Sequence, residues 1–309
     1  MHTGMRSVQE TIAEWVSEGN TEAWLIIDRA NVVFLPLLPS SVQFLRITSC
    51  QRLKHLSPLP ARLKVFVCKW CDSLQRLPKL PNDLEEFTCD SSALKHLPSL
   101  PPLLSILECR FNHLQTLPLL PSTVSRLDCA YNQLVALPPL PTSLISLNCA
   151  SNCLRRLPAL PQELVSLECN KNKLRYLPQL PAALEVLNCN CNHLFALPAL
   201  PPFLHALYVY RNRLSFMPTL PTSLQNLYCG RNAFAQLPAL PVSLINGGIP
   251  KGCQMPTWNA QDSADEDSFW YKGETRLLPE TWEEGVQFQR TRARATLFGL
   301  IPLAALLFV

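Results

Sequence analysis

The chain has 309 residues, 27 Lys+Arg against 23 Asp+Glu, a formal net charge of +4, 48% hydrophobic residues and 16% charged ones. That apolar fraction excludes a disordered chain, and so small a charge over this length argues against an electrostatic nucleic-acid binder. Twenty-nine prolines are too many for an ordinary helical or sheet protein, and thirteen cysteines, an odd number and about 4% of the residues, fall short of the roughly 8–10% of a disulfide scaffold. No apolar run follows Met1–Ser7, so no signal peptide is read there, and the composition points to a soluble protein of a reducing compartment.

The first predicted element is a helix. Ser7-Val8-Gln9-Glu10 matches a capping box, Val8, Ile12, Trp15 and Val16 follow helical spacing, and Gly19-Asn20 stops the run. An amphipathic helix from Val8 to Glu18 is expected to cap the chain's first layer, giving residues 1–24 the role of an N-terminal cap.

A repeat follows. A half copy, LIIDRANVVFLPLLP, begins at Leu25; two 21-residue copies run Ser40–Pro60 and Ala61–Pro81; eight 20-residue copies then run without a gap from Asn82 to Pro241. The unit is x-x-L-x-x-L-x-C-x-x-N-x-L-x-x-L-P-x-L-P. Leu-Pro-x-Leu-Pro, with Met217 once replacing the first Leu, recurs nine times in register from Leu77 to Pro241. Its core is the leucine-rich-repeat pattern, so residues 25–246 are read as a solenoid. Alternation around Leu107 and Cys109 makes a short strand, and stacked copies build a parallel sheet on a concave face. Each copy supplies four or five apolar residues to the core, a fully buried Leu contributing roughly 1.5–3 kcal/mol. Pro lacks the donor a helix needs, so the convex side is expected to be polyproline-like. Asn112, Asn132, Asn152, Asn172, Asn192, Asn212 and Asn232 form a ladder of amides expected to bond backbone as the chain leaves each strand; Ser92 breaks it at its start.

Cys89, Cys109, Cys129, Cys149, Cys169, Cys189 and Cys229 share one repeat position, with Val209 in the missing turn. Val there marks an apolar site, so these read as small buried core residues. A disulfide ladder is the alternative, but parallel side chains do not converge as a bridge requires. Zinc at Cys189-Asn190-Cys191 lacks a second ligand pair. Cys191 stands where the chain leaves the strand and is expected to be accessible. No dinucleotide, P-loop or His-Glu-x-x-His motif is present, and no cofactor is implied.

The positions flanking each Cys should line the concave face. Glu108, Asp128 and Glu168 make an acidic stripe in the early and middle copies. Tyr208, Tyr210, Arg211, Tyr228 and Arg231 gather in the last two. Tyr and Arg are enriched at binding hot spots, so this cluster is the expected anchor for a partner protein, with the acids meeting its basic flank.

The repeat is read as ending at Gly247-Gly248. Residues 247–294, with the acidic run Asp262–Asp267 and several aromatics, are expected to form an irregular cap or linker. Residues 295–309, ATLFGLIPLAALLFV, are uncharged and follow Arg290, Arg292 and Arg294. They are short for a spanning helix, which needs about 20 residues, and read as a packed end, an unnatural terminus or a membrane tether.

From about Leu25 to Leu244, the Leu-Pro-x-Leu-Pro repeats behind an N-terminal helix resemble the leucine-rich repeats of Gram-negative bacterial effectors, the IpaH, SspH, SlrP and YopM class. The resemblance implies virulence-associated delivery into the cytoplasm of a eukaryotic host cell, where the repeats bind a host protein. Many of that class add a ubiquitin ligase domain whose nucleophile lies in Cys-x-Asp. None of the thirteen cysteines here stands in that motif, and only about 60 residues follow Asn246. The expectation is therefore a non-catalytic binding module. The alternative is the substrate-recognition part of an IpaH-type E3 ubiquitin ligase whose catalytic domain is missing or degenerate.

Overall fold

The computed structural model describes residues 7–248. The acidic run, the aromatic cap and the apolar tail expected beyond them lie outside the described residues. Helix α1, Val8–Glu18, starts and stops as its sequence dictates. The Ser7 side chain accepts from the Glu10 N–H, the Glu10 carboxylate accepts from the Ser7 N–H at 2.7 Å, and Gly19 closes the helix in the left-handed region at φ 66. Val8 and Trp15 are buried, and the Trp15 indole donates to the Ala23 carbonyl at 3.2 Å. Val16, expected on the same apolar face, is exposed, since only one narrow stripe of the helix meets the first coil.

Twelve strands follow in one parallel sheet whose spatial order is the chain order, from β1, Trp24–Asp28, and β2, Phe44–Thr48, to β12, Asn246–Gly248. Between lie β3, Val65–Cys71, β4, Glu86–Ser92, and seven three-residue strands: β5 Ile106–Glu108, β6 Arg126–Asp128, β7 Ser146–Asn148, β8 Ser166–Glu168, β9 Val186–Asn188, β10 Ala206–Tyr208 and β11 Asn226–Tyr228. Leu107 pairs with Leu127 and Leu127 with Leu147, so the central Leu repeats down its column. The molecule is a leucine-rich-repeat solenoid, with the sheet on its concave face and Leu-Pro-x-Leu-Pro on the other.

Why twenty residues close a coil is visible in its backbone bonds. After the second Pro a turn returns the chain to the sheet, as in Val124 N–H to Pro121 O at 3.2 Å. Neighbouring coils are tied on both sides of the strand: Ser125 donates to Ser105 at 2.9 Å, and His113 donates to Leu94 at 2.8 Å. The core columns are fully buried, Leu104, Leu107, Cys109 and Leu114 among them.

Just after each strand, or at the next-to-last residue of β3 and β4, the chain turns through a left-handed residue. Ser91, Phe111, Tyr131, Ser151, Lys171, Cys191, Arg211 and Arg231 all have φ between 52 and 56, as do Arg29, Ser49 and Trp70. This costs about 1–2 kcal/mol at each non-glycine position. The Asn that follows offsets it. Asn152 donates to Cys129 O at 3.0 Å in the previous coil and to Cys149 O and Ala150 O in its own; its Oδ1 accepts from Leu134 N–H at 2.9 Å.

Three findings extend or correct the sequence reading. The Asn column continues toward the N-terminus through Ser92, Cys71 and Cys50, each of which follows a left-handed residue. Cys50 Sγ reaches Ile27 O at 3.8 Å and Thr48 O at 3.3 Å, the same sequence offsets that Asn152 uses. Cys68 heads the strand column, pairing with Cys89. Gly247-Gly248, read as the end of the repeat, form part of its last described strand: Leu227 pairs with Gly247 and Tyr228 with Gly248, because a backbone ladder needs no side chain.

Replacing Asn152 by Ala strands a buried N–H and several carbonyls. Urea unfolding should show a loss of about 2–4 kcal/mol, and a smaller loss for Asn232→Ala, whose amide is only half-buried.

Candidate functional site

The concave face is built from side chains that alternate with the buried Leu and Cys columns along each strand. The two tyrosine strands lie at its C-terminal end. Tyr208 and Tyr228 are register partners, and their rings stack at 5.4 Å with planes 14° apart. One step along the chain, the Arg231 guanidinium lies over the Tyr210 ring at 5.6 Å. Arg211 is exposed beside them in the left-handed row. The glycines in the next coil make room for this cluster. A Cβ on Gly230 would meet the Tyr210 ring at 3.3 Å, and one on Gly248 the Tyr228 ring at 3.2 Å. Tyr208, Tyr210, Arg211, Tyr228 and Arg231 therefore form one contiguous cluster.

The acidic residues are placed differently from the expectation. Asp128 is 4% exposed and is no part of an open stripe. It sits at the end of a chain of opposite charges: Lys69 Nζ to Asp90 Oδ2 at 3.5 Å, Arg110 Nη2 to the same oxygen at 3.1 Å, and Arg110 Nε to Asp128 Oδ2 at 3.8 Å. The Asn148 amide donates to Asp128 at 3.2 Å and the Ala130 N–H donates to it at 3.2 Å. Glu108 is paired with Arg126 at 2.9 Å. Glu168 lies half-buried in the same column, next to Asn188 and one strand further from Tyr208. Side chains on successive parallel strands point the same way, so each leans on its neighbour, and Glu108 and Asp128 both meet cations of the sheet itself.

Two aromatic features escaped the sequence reading. At the N-terminal end, Trp24 and Phe44 pack at 5.6 Å and Arg46 lies 4.9 Å over the Trp24 ring. Early in the left-handed row, Phe111 and Tyr131 stack at 4.2 Å with both rings exposed. The signal for the second pair was their shared repeat position; for the first it was hidden, because the half copy lacks the Cys that marks the strand.

Among the described residues, ten cysteines are buried and Cys153 and Cys191 are half-buried. Burial pushes the Cys109, Cys129, Cys149, Cys169 and Cys189 thiols up. Cys50 and Cys68 both hydrogen-bond to Cys71, which pulls the Cys71 thiol down while pushing theirs up. Among the described residues no group of three or more His, Cys, Asp or Glu is arranged to hold a metal, and no helix is long and apolar enough to cross a membrane.

The fold class is thus a leucine-rich-repeat solenoid with a polar, aromatic-ended concave face. Among solved structures it is similar to YopM from Yersinia enterocolitica WA-314, at 34% identity and TM-score 0.67 over 74% of this chain and 53% of that one. It is also similar to YopM from Yersinia pestis, described as a leucine-rich effector protein, at 33% identity and TM-score 0.65 over 75% and 65%. The chain spans about half to two-thirds of those proteins. The fold is shared with InlJ from Listeria monocytogenes, whose functional domain includes a cysteine ladder, at 22% identity and TM-score 0.54 over 72% and 49%. No protein-family model matches the chain, and no curated protein sequence does either.

Two measurements check the site. Burial pushes the Asp128 carboxyl up to about 7, Arg110 and the Ala130 N–H opposing and Glu108 and Glu168 adding to the rise. The unfolded value is about 3.9. The neutral form is therefore favoured by folding, and this contribution is complete below about pH 4 and lost as pH rises through about 7. Asp128→Asn, an amide already present in the same column at Asn148 and Asn188, should be more stable than the parent at pH 8. The difference, on the order of 2–4 kcal/mol, should close toward pH 4 in urea titrations. In the native protein, alkylation mapped by mass spectrometry should modify Cys153 and Cys191 and leave the ten buried cysteines of the described residues untouched; Cys71, however acidic, is enclosed.

Proposed function

We propose that this chain is a non-catalytic protein-binding module, a bacterial effector that grips a host protein through its concave face. The observation that supports this is the cluster at the last strands: stacked Tyr208 and Tyr228, and Tyr210 beneath Arg231. Aromatic rings held by their neighbours lose little freedom on binding, and Tyr and Arg are enriched at binding hot spots. The half-buried Glu168, two strands away, extends the same face toward the centre. The likeness to YopM at 33–34% identity supports the effector reading. Action in the host cytoplasm follows from it; a tether through residues 295–309 is its alternative, and cell fractionation with and without them separates the two.

The reading as the recognition part of an E3 ubiquitin ligase rests on the resemblance alone. Autoubiquitination by the intact chain would defeat the non-catalytic reading. For the binding face the decisive variant is Tyr208→Ala with Tyr228→Ala. It should abolish capture of the protein most enriched from host lysate by the parent chain, with unchanged circular dichroism. Undiminished capture would remove the cluster from the interface.

A further inference from the structure

Where the coils descend from the sheet, the charged residues in the middle and later coils are all of one sign. Between a buried Leu and the next Leu-Pro stand two outward residues. Leu154 and Leu157 are buried while Arg155 and Arg156 between them are exposed; in the next coil Arg175 and Tyr176 take the same places after buried Leu174. One position before that Leu stand exposed Lys173 and Arg213. From Ser91 to Gln236 no Asp or Glu occupies any of these columns or the left-handed row beside them. Arg155 and Arg175 lie in adjacent coils of one column, about 4.8 Å per step. Like charges at that range repel by about 1 kcal/mol even in water. No fold requirement explains the concentration, since the same columns hold His, Gln, Thr and Ala elsewhere.

Aromatic residues are set among these cations. Phe195 lies 5.7 Å beneath the Arg213 guanidinium and 6.3 Å from the Tyr176 ring, with planes tilted by 42°. Tyr176 is 65% exposed and Phe216, two coils further in the same column, 71%.

We infer that this descending edge is a second recognition surface, separate from the concave face, and that its partner is an acidic polypeptide segment carrying apolar side chains. Guanidinium forks take carboxylates in pairs, and the exposed rings between them take apolar side chains. A formal net charge of only +4 over 309 residues argues against a nucleic acid as the partner.

The test is fluorescence anisotropy of the full chain with a labelled peptide of Glu-Glu-Phe repeats. Binding should weaken as salt rises. It should fall at least tenfold in the triple variant Arg155→Glu, Lys173→Glu, Arg175→Glu. The triple variant Arg62→Glu, Lys64→Glu, Lys79→Glu makes the same charge change at exposed sites outside these columns and should bind as the parent does. So should Tyr208→Ala with Tyr228→Ala, which makes this result independent of the concave-face reading. Equal losses in the two triple variants would reduce the effect to net charge and overturn the assignment. A labelled oligo-dT bound as tightly as the peptide would overturn it in favour of nucleic acid.

Discussion

The rest of the structure depends on the buried amide of one asparagine per coil. A parallel strand of three residues makes too few bonds to hold its register alone. The turn that ends it also puts a non-glycine residue in the left-handed region. The Asn side chain answers both demands. Its Nδ2 joins the carbonyl of its own strand to that of the previous one, and its Oδ1 takes up an N–H of the previous coil. Coils are therefore bonded to neighbours rather than to a common centre, and stability accumulates along the stack. The Leu and Cys columns fill the interior that this framework encloses.

Much of this was legible because the repeat is strict. The helix limits follow from the capping box and Gly19, and the buried columns and the concave row from periodicity, which survives single substitutions. What was hidden depends on contacts between columns or on broken register. Cys50 and Cys71 occupy the amide position, but their coils are a residue longer and a thiol does not look like an Asn; only its reach to Ile27 and Thr48 carbonyls shows the equivalence. Asp128 looked like a surface acid, since alternation says which face a side chain is on but not that Arg110 and Asn148 close over it. Gly247-Gly248 looked like punctuation because glycine is a common stop, yet here it continues the ladder and leaves space for the Tyr228 ring.

The concave face consequently differs from a uniformly charged trough. Its middle is a self-neutralised network from Lys69 to Asn148, whose members are already desolvated and paired. Its ends carry rings held by guanidinium groups, Trp24 with Arg46 and Tyr210 with Arg231. A partner laid along it would meet firm amphipathic contacts at either end and a polar floor between. The descending edge differs in kind: its cations have no acids in their own columns.

The left-handed residues have one more consequence. They recur at every coil, and the framework is held by the amide that follows rather than by their own side chains, which at successive coils are Phe, Tyr, Ser, Lys, Cys and Arg. Each coil thus contributes one freely exchangeable letter to an evenly ruled line along the rim. A lineage could rewrite that line, and so change what it recognises, without disturbing the scaffold beneath.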